Sequence, residues 1–91
     1  MGPSKTPTKL EREWMARISD LGCYACRCDG IQSPASVHHI VQGYRRLGHL
    51  FTIPLCYEHH QGKSGVHMAK RSFTQRYGLE LDILAELQKE R

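Results

Sequence analysis

The 91-residue chain is sized for one domain, and 24% charged residues, 8% aromatic residues and a mean hydropathy of -0.52 leave it little apolar surface to bury, which excludes a fold held by a large apolar core alone and calls for a staple. The first nine residues are polar, without the apolar run of a secretory leader, and no stretch is long enough to span a bilayer; the expectation is a cytoplasmic protein, whose four Cys and six His read as metal ligands rather than disulfides. The net charge of +4 and pI of about 9.0 favour a polyanionic partner.

Residues 1–7 (MGPSKTP) read as a flexible tail, and residues 8–91 as the single domain. A helix is predicted over residues 8–21, N-capped by Thr8 with Glu11 closing a capping box. Leu10, Trp14, Ile18 and Leu21 form its apolar stripe, with Trp14 in the core. Gly22 ends it. Residues 23–28 form a tight Cys knuckle, and residues 29–34 a loop marked by Asp-Gly and Ser-Pro.

A short strand is predicted over residues 36–41, a Gly-punctuated basic loop over 42–49 (QGYRRLGH), and a second strand over 50–55 (LFTIPL). Pro54 argues for an edge position or a strand end. Residues 56–61 start a short helix that residues 62–65 (GKSG) break. Helices over 68–77 and 79–89 follow, separated by Gly78. Leu81, Ile83, Leu84 and Leu87 give the last one its packed side.

Two constellations carry chemistry. Cys23-x2-Cys26 and Cys56-x2-His59 are half-sites thirty residues apart, and together they supply the four N/S ligands of a closed structural zinc site. Cys28 is a spare thiol. The second constellation begins with His38 and His39, adjacent in a strand, where successive side chains point to opposite faces. One imidazole can hold a metal while the other does different work. His38, His60 and His67 are candidate ligands of a three-His site with coordination positions left open, the mark of a catalytic metal. His39 is the candidate general base, because a neutral imidazole accepts protons near neutral pH.

The order C-x2-C, V-H-H-I (Val37–Ile40), P-L-C-x2-H-H (Pro54–His60) resembles the HNH endonuclease superfamily. More specifically, Thr52–Gly62 (TIPLCYEHHQG), Gly65-Val66-His67 and Phe73–Gly78 (FTQRYG) are similar to the phage recombination-enhancement-function (Ref-like) nucleases, described as RecA-dependent HNH nucleases. The similarity covers about residues 21–78. It implies an α+β chain with the small ββα-metal (HNH, His-Me finger) fold, a structural zinc knuckle and flanking helices. It also implies an endonuclease that hydrolyses DNA phosphodiester bonds in phage recombination or repair, in the cytoplasm of a bacterial host.

By motif position, His39 matches the general base, and His38 and His60 match metal ligands, with His67 the third. Cys23, Cys26, Cys56 and His59 match the zinc ligands. The implied cofactors are a structural Zn2+ and a catalytic Mg2+, Mn2+ or Zn2+. The implied partners are DNA and a recombinase such as RecA. One departure stands out: the middle Asn of the HNH pattern falls near Phe51, and the chain contains no Asn. His49 or the backbone is then left to orient His39.

Arg45, Arg46, Lys63, Lys70, Arg71 and Arg76 are candidate DNA contacts, suited to phosphates rather than to base edges. No base-reading helix is evident, so little sequence specificity is expected. The alternatives are a non-catalytic zinc module that binds nucleic acid or protein, and an inactive nuclease relative acting as an adaptor. The zinc-module reading leaves His38, His39, His60 and His67 unexplained.

Overall fold

The computed structural model describes residues 6–89. The tail expected over residues 1–7 therefore lies mostly outside the described residues. Helix α1 spans Lys9–Leu21 and opens with the expected capping box: the Thr8 hydroxyl accepts from the Glu11 N–H, and the Glu11 carboxylate accepts from the Thr8 N–H. Ile18 is its fully buried residue, with Trp14 and Leu21 packed against the core. Leu10, expected in the same stripe, is exposed: it lies in the first turn, beyond the reach of the core. The knuckle that follows is itself helical, forming α2 (Tyr24–Cys28).

Strand β1 (Ser36–His39) pairs antiparallel with β4 (Thr52–Leu55), setting Val37 opposite Pro54, His38 opposite Ile53 and His39 opposite Thr52. Pro54 donates no ladder bond, and a two-stranded sheet has an outer edge to spare for it. All four residues of β4 are buried, because α1, α2 and α5 (Glu80–Lys89) pack on this strand.

The first predicted strand is shorter than residues 36–41. It breaks at buried Ile40, whose N–H reaches the Phe51 carbonyl while its own carbonyl accepts from Leu47. The chain then forms a second, smaller hairpin within the expected basic loop, β2 (Val41–Gln42) with β3 (Arg45–Arg46). Its two-residue turn is Gly43-Tyr44. A tight hairpin of this kind requires positive φ at the first turn position, and Gly43 supplies it at +64°.

After β4 come α3 (Tyr57–His60), α4 (Lys70–Tyr77) and α5. Residues 61–69 double back over α3, with the Val66 N–H on the His59 carbonyl. This return depends on Gly65: a Cβ there would lie 2.9 Å from the Gly62 carbonyl oxygen and 3.0 Å from the Glu58 one. Helix α4 starts two residues later than predicted. On α5, Ile83, Leu84 and Leu87 are buried, but Leu81 is exposed, about 100° per residue carrying it off the packed face. The chain is thus a small α+β protein with five helices and two small sheets among its described residues. None of these helices is long and apolar enough to cross a membrane.

Candidate metal centres

Helix α3 brings two consecutive histidines to two different clusters. Neighbouring residues on a helix are rotated about 100° from one another, so His59 turns toward the cysteines and His60 toward β1.

In the first cluster, His59 Nδ1 lies 3.2 Å from Cys56 Sγ and 3.5 Å from both Cys23 Sγ and Cys26 Sγ. Cys26 and Cys56 Sγ are 3.7 Å apart, and none of these cysteines is disulfide-bonded. Burial pushes the Cys23 thiol up to about 12, with the neighbouring Cys56 charge acting in the same direction. Burial also opposes the Cys56 thiolate, but hydrogen bonds from the His59 backbone and from the Cys26 and Cys23 thiols outweigh it and lower that thiol. Three thiols and one imidazole nitrogen are the donor set that zinc takes in closed tetrahedral sites. The residues therefore fit zinc.

A hydrogen-bonded chain surrounds this cluster. His59 Nε2 lies 3.4 Å from the Tyr77 hydroxyl, which donates to Asp29 Oδ2 at 2.7 Å; Arg76 donates to Asp29 Oδ1 at 3.0 Å. The bonds from Tyr77 and Arg76 hold the Asp29 carboxyl below its ordinary range. The chain ties α4 to the loop after α2 and leaves His59 Nδ1 facing the sulfurs. Cys28, on the last turn of α2, is exposed and outside the cluster.

The second cluster is His38, His60 and His67, with one ring nitrogen from each within 4.8 Å of the others. Their ring centroids are 4.9–5.0 Å apart. His38 is 2% exposed; His60 and His67 rise progressively toward solvent. Burial lowers the His60 imidazole, and His38 and His67 add to the effect. His67 is lowered by burial and by His38, against an opposing pull from Glu80. Imidazoles converging on one point suit a divalent metal, and the lowered His60 and His67 favour the deprotonated form that a ligand needs. The Ser36 hydroxyl sits 3.5 Å from His60 Nδ1. Glu80 Oε2 sits 2.5 Å from His38 Nε2. Burial alone would raise the Glu80 carboxyl, but the His38 hydrogen bond and charge, with Lys70 and His67, hold it below its usual range.

His39 faces the other side of β1. Its Nε2 lies 3.0 Å from His49 Nδ1. The loop carrying His49 is braced by two bonds: Trp14 Nε1 donates to Thr52 Oγ1 at 3.0 Å, and that hydroxyl donates to the His49 carbonyl at 3.1 Å. Burial, the nearby Arg46 guanidinium, His49 and His38 all lower the His39 imidazole.

Of the candidate DNA contacts, Arg45 and Arg46 are exposed on β3, and Lys63 and Arg71 are exposed beyond α3 and on α4. Lys70 borders the His cluster, with Nζ 3.8 Å from Glu80 Oε1. Arg76 lies apart from these, joined to Asp29 on the zinc side.

Sequence spacing pointed to the Cys and His residues but missed Glu80, Ser36, Tyr77 and Asp29. Glu80 lies 42 residues from His38 and looks like any acidic residue opening a helix; nothing in the sequence distinguishes it. No curated protein matches the chain. The family described as recombination enhancement, RecA-dependent nuclease matches residues 7–90. With nearly its whole length covered by that match, the chain belongs to the RecA-dependent recombination-enhancement nucleases.

Proposed function

We propose that the chain is a metal-dependent HNH endonuclease that hydrolyses DNA phosphodiester bonds with little sequence specificity, in recombination that involves RecA. The single observation that carries this reading is the division of labour between adjacent strand residues: His38 joins a three-imidazole cluster while His39 stands outside it against His49. A purely structural zinc module has no use for a second, half-open cluster with a separately held imidazole beside it. In this reading β1, β4 and α3 form the ββα-metal unit.

A divalent ion held by His38, His60 and His67 would act as a Lewis acid on the scissile phosphate and help the leaving oxygen depart. The remaining work belongs to the chain's own groups. His49 accepts the Nε2 proton of His39, which leaves His39 Nδ1 with a lone pair to take the proton from the attacking water. This bond gives His49 the orienting role that an Asn fills in the HNH pattern. Arg45 and Arg46, on the hairpin one residue beyond β1, neutralise backbone phosphates next to the base. Their contacts are electrostatic and independent of sequence. Cys23, Cys26, Cys56 and His59, with zinc, hold α3 at the angle that delivers His60.

The test is nicking of supercoiled plasmid by purified protein over a series of divalent metals, with and without RecA filaments, and with His39→Ala as control. Metal-dependent nicking abolished by that substitution is expected. Loss of DNA cleavage in every metal and with RecA, by protein loaded at both centres, would refute the nuclease reading and leave the zinc adaptor.

A further inference from the structure

Glu80 is the first residue of α5, 42 residues from His38 in sequence, yet its side chain is only 12% exposed. A buried carboxylate is costly unless it is paired. Its nearest cationic partner, Lys70, is 3.8 Å away and largely exposed, which makes that pair weak. The close contact is instead with a ring nitrogen of His38, at 2.5 Å. Glu80, His38, His67 and Lys70 line one cavity of about 280 Å³, closed on its apolar side by Val41 and Val66.

We propose that Glu80 is the carboxylate arm of the three-His centre: it accepts the Nε2–H of His38, and so docks α5 onto the metal site. The inference rests on reading His38, His60 and His67 as that centre. A histidine can offer a metal only the nitrogen that carries no proton. With Nε2–H committed to Glu80, Nδ1 becomes the donor, in one tautomer and one ring orientation. Metal-binding histidines commonly carry such a carboxylate partner, and losing it typically costs 10–100-fold in affinity. Glu80 is thus a positioning residue, acting through His38.

The arrangement has a second consequence. The carboxylate belongs to a helix otherwise anchored by Ile83, Leu84 and Leu87. A metal that strengthens the His38–Glu80 bond must stabilise the docking of α5, and a docked α5 must in turn tighten metal binding by the same factor.

The experiment uses full-length protein with its structural zinc retained, titrated with Co2+ and followed by visible absorption. The wild type is expected to take up one Co2+, and His60→Ala none. Glu80→Gln keeps the shape and removes the charge. It should need roughly 10–100-fold more Co2+ and reach the same band positions at saturation. Equal affinity would overturn the proposal while leaving the three-His centre intact. Shifted bands at saturation would also overturn it, making Glu80 a direct ligand. No Co2+ uptake by the wild type would defeat the centre itself, and the proposal with it. Hydrogen exchange of α5 amides in the wild type gives a check that needs no variant. Co2+ should slow exchange at the start of α5, and unchanged exchange would overturn the coupling.

Discussion

His49 Nδ1 lies 3.0 Å from His39 Nε2, and the carbonyl of the same His49 is gripped by the hydroxyl of Thr52, the residue paired with His39 across the β1–β4 ladder. The imidazole that meets His39 is thus braced on the rung that His39 occupies. The indole of Trp14 holds Thr52 from behind, so α1 supports the pair.

If this bond orients His39, its loss should cost about one net hydrogen bond, roughly 0.5–1.5 kcal/mol. His49→Ala should then cleave up to about ten times more slowly while keeping both metals. His49→Asn can still present an acceptor to His39 Nε2 and should recover part of the rate. Single-turnover cleavage of the two variants checks this. A His49→Ala protein with the parental rate would remove His49 from the mechanism.

The zinc frame should be a condition of folding, because the free energy of binding at such a site is folding free energy. Cys23→Ser is expected to unfold the domain or make it insoluble, whereas Cys28→Ser should melt like the parent. Tyr77→Phe removes the hydroxyl between His59 and Asp29 and should lower stability by about 1 kcal/mol with the zinc still bound. Thermal melts combined with zinc analysis test all three. An unchanged melt for Cys23→Ser would contradict the ligand assignment.

The basic residues should separate into two groups. Arg45→Ala and Arg46→Ala should weaken DNA binding similarly on every sequence, each reducing the salt slope by about one. Arg76→Ala should change DNA affinity less, because its guanidinium is joined to Asp29 on the zinc side. Fluorescence anisotropy at several salt concentrations distinguishes them. A steeper loss for Arg76 than for Arg45 would place the DNA on the opposite face.

These predictions draw unequally on sequence and structure, for physical reasons. The capping box of α1 and the pairing of Cys23-x2-Cys26 with Cys56-x2-His59 were legible, because local hydrogen bonding and metal geometry impose fixed spacings. The two adjacent His pairs were legible as pairs whose members face different ways, since strand alternation and helical rotation both separate neighbours. The β2–β3 hairpin was hidden in a loop whose residues carry no apolar alternation. Glu80 could not be read at all, because its meeting with His38 depends on the packing of α5 against β4 and leaves no local trace. Leu10 fits its helical stripe yet faces solvent, since a periodic stripe does not say how far along a helix the core extends, whereas Leu81 is exposed because helical rotation takes it off the face of Ile83, Leu84 and Leu87.

The sharpest prediction concerns His39. A group that removes a proton only in the transition state contributes little to ground-state binding. His39→Ala should therefore fold, keep both metals and bind DNA like the parent, yet cleave roughly 10²–10⁴-fold more slowly. The pH profile follows from the direction of its shift. Burial, Arg46, His49 and His38 together hold its imidazole below the ordinary 6.5, so the ring is mostly neutral at pH 7 and able to accept a proton. Cleavage should fall as the pH drops and the ring becomes protonated, with the midpoint of the fall below that ordinary value. Arg46→Ala removes one of the charges opposing protonation, so the fall should begin at higher pH in that variant. Single-turnover rates at saturating metal, with metal content measured at each pH, provide the check. If His39→Ala lost its catalytic metal, the roles of His38 and His39 would be exchanged; if it cleaved at the parental rate, His39 would not be the base.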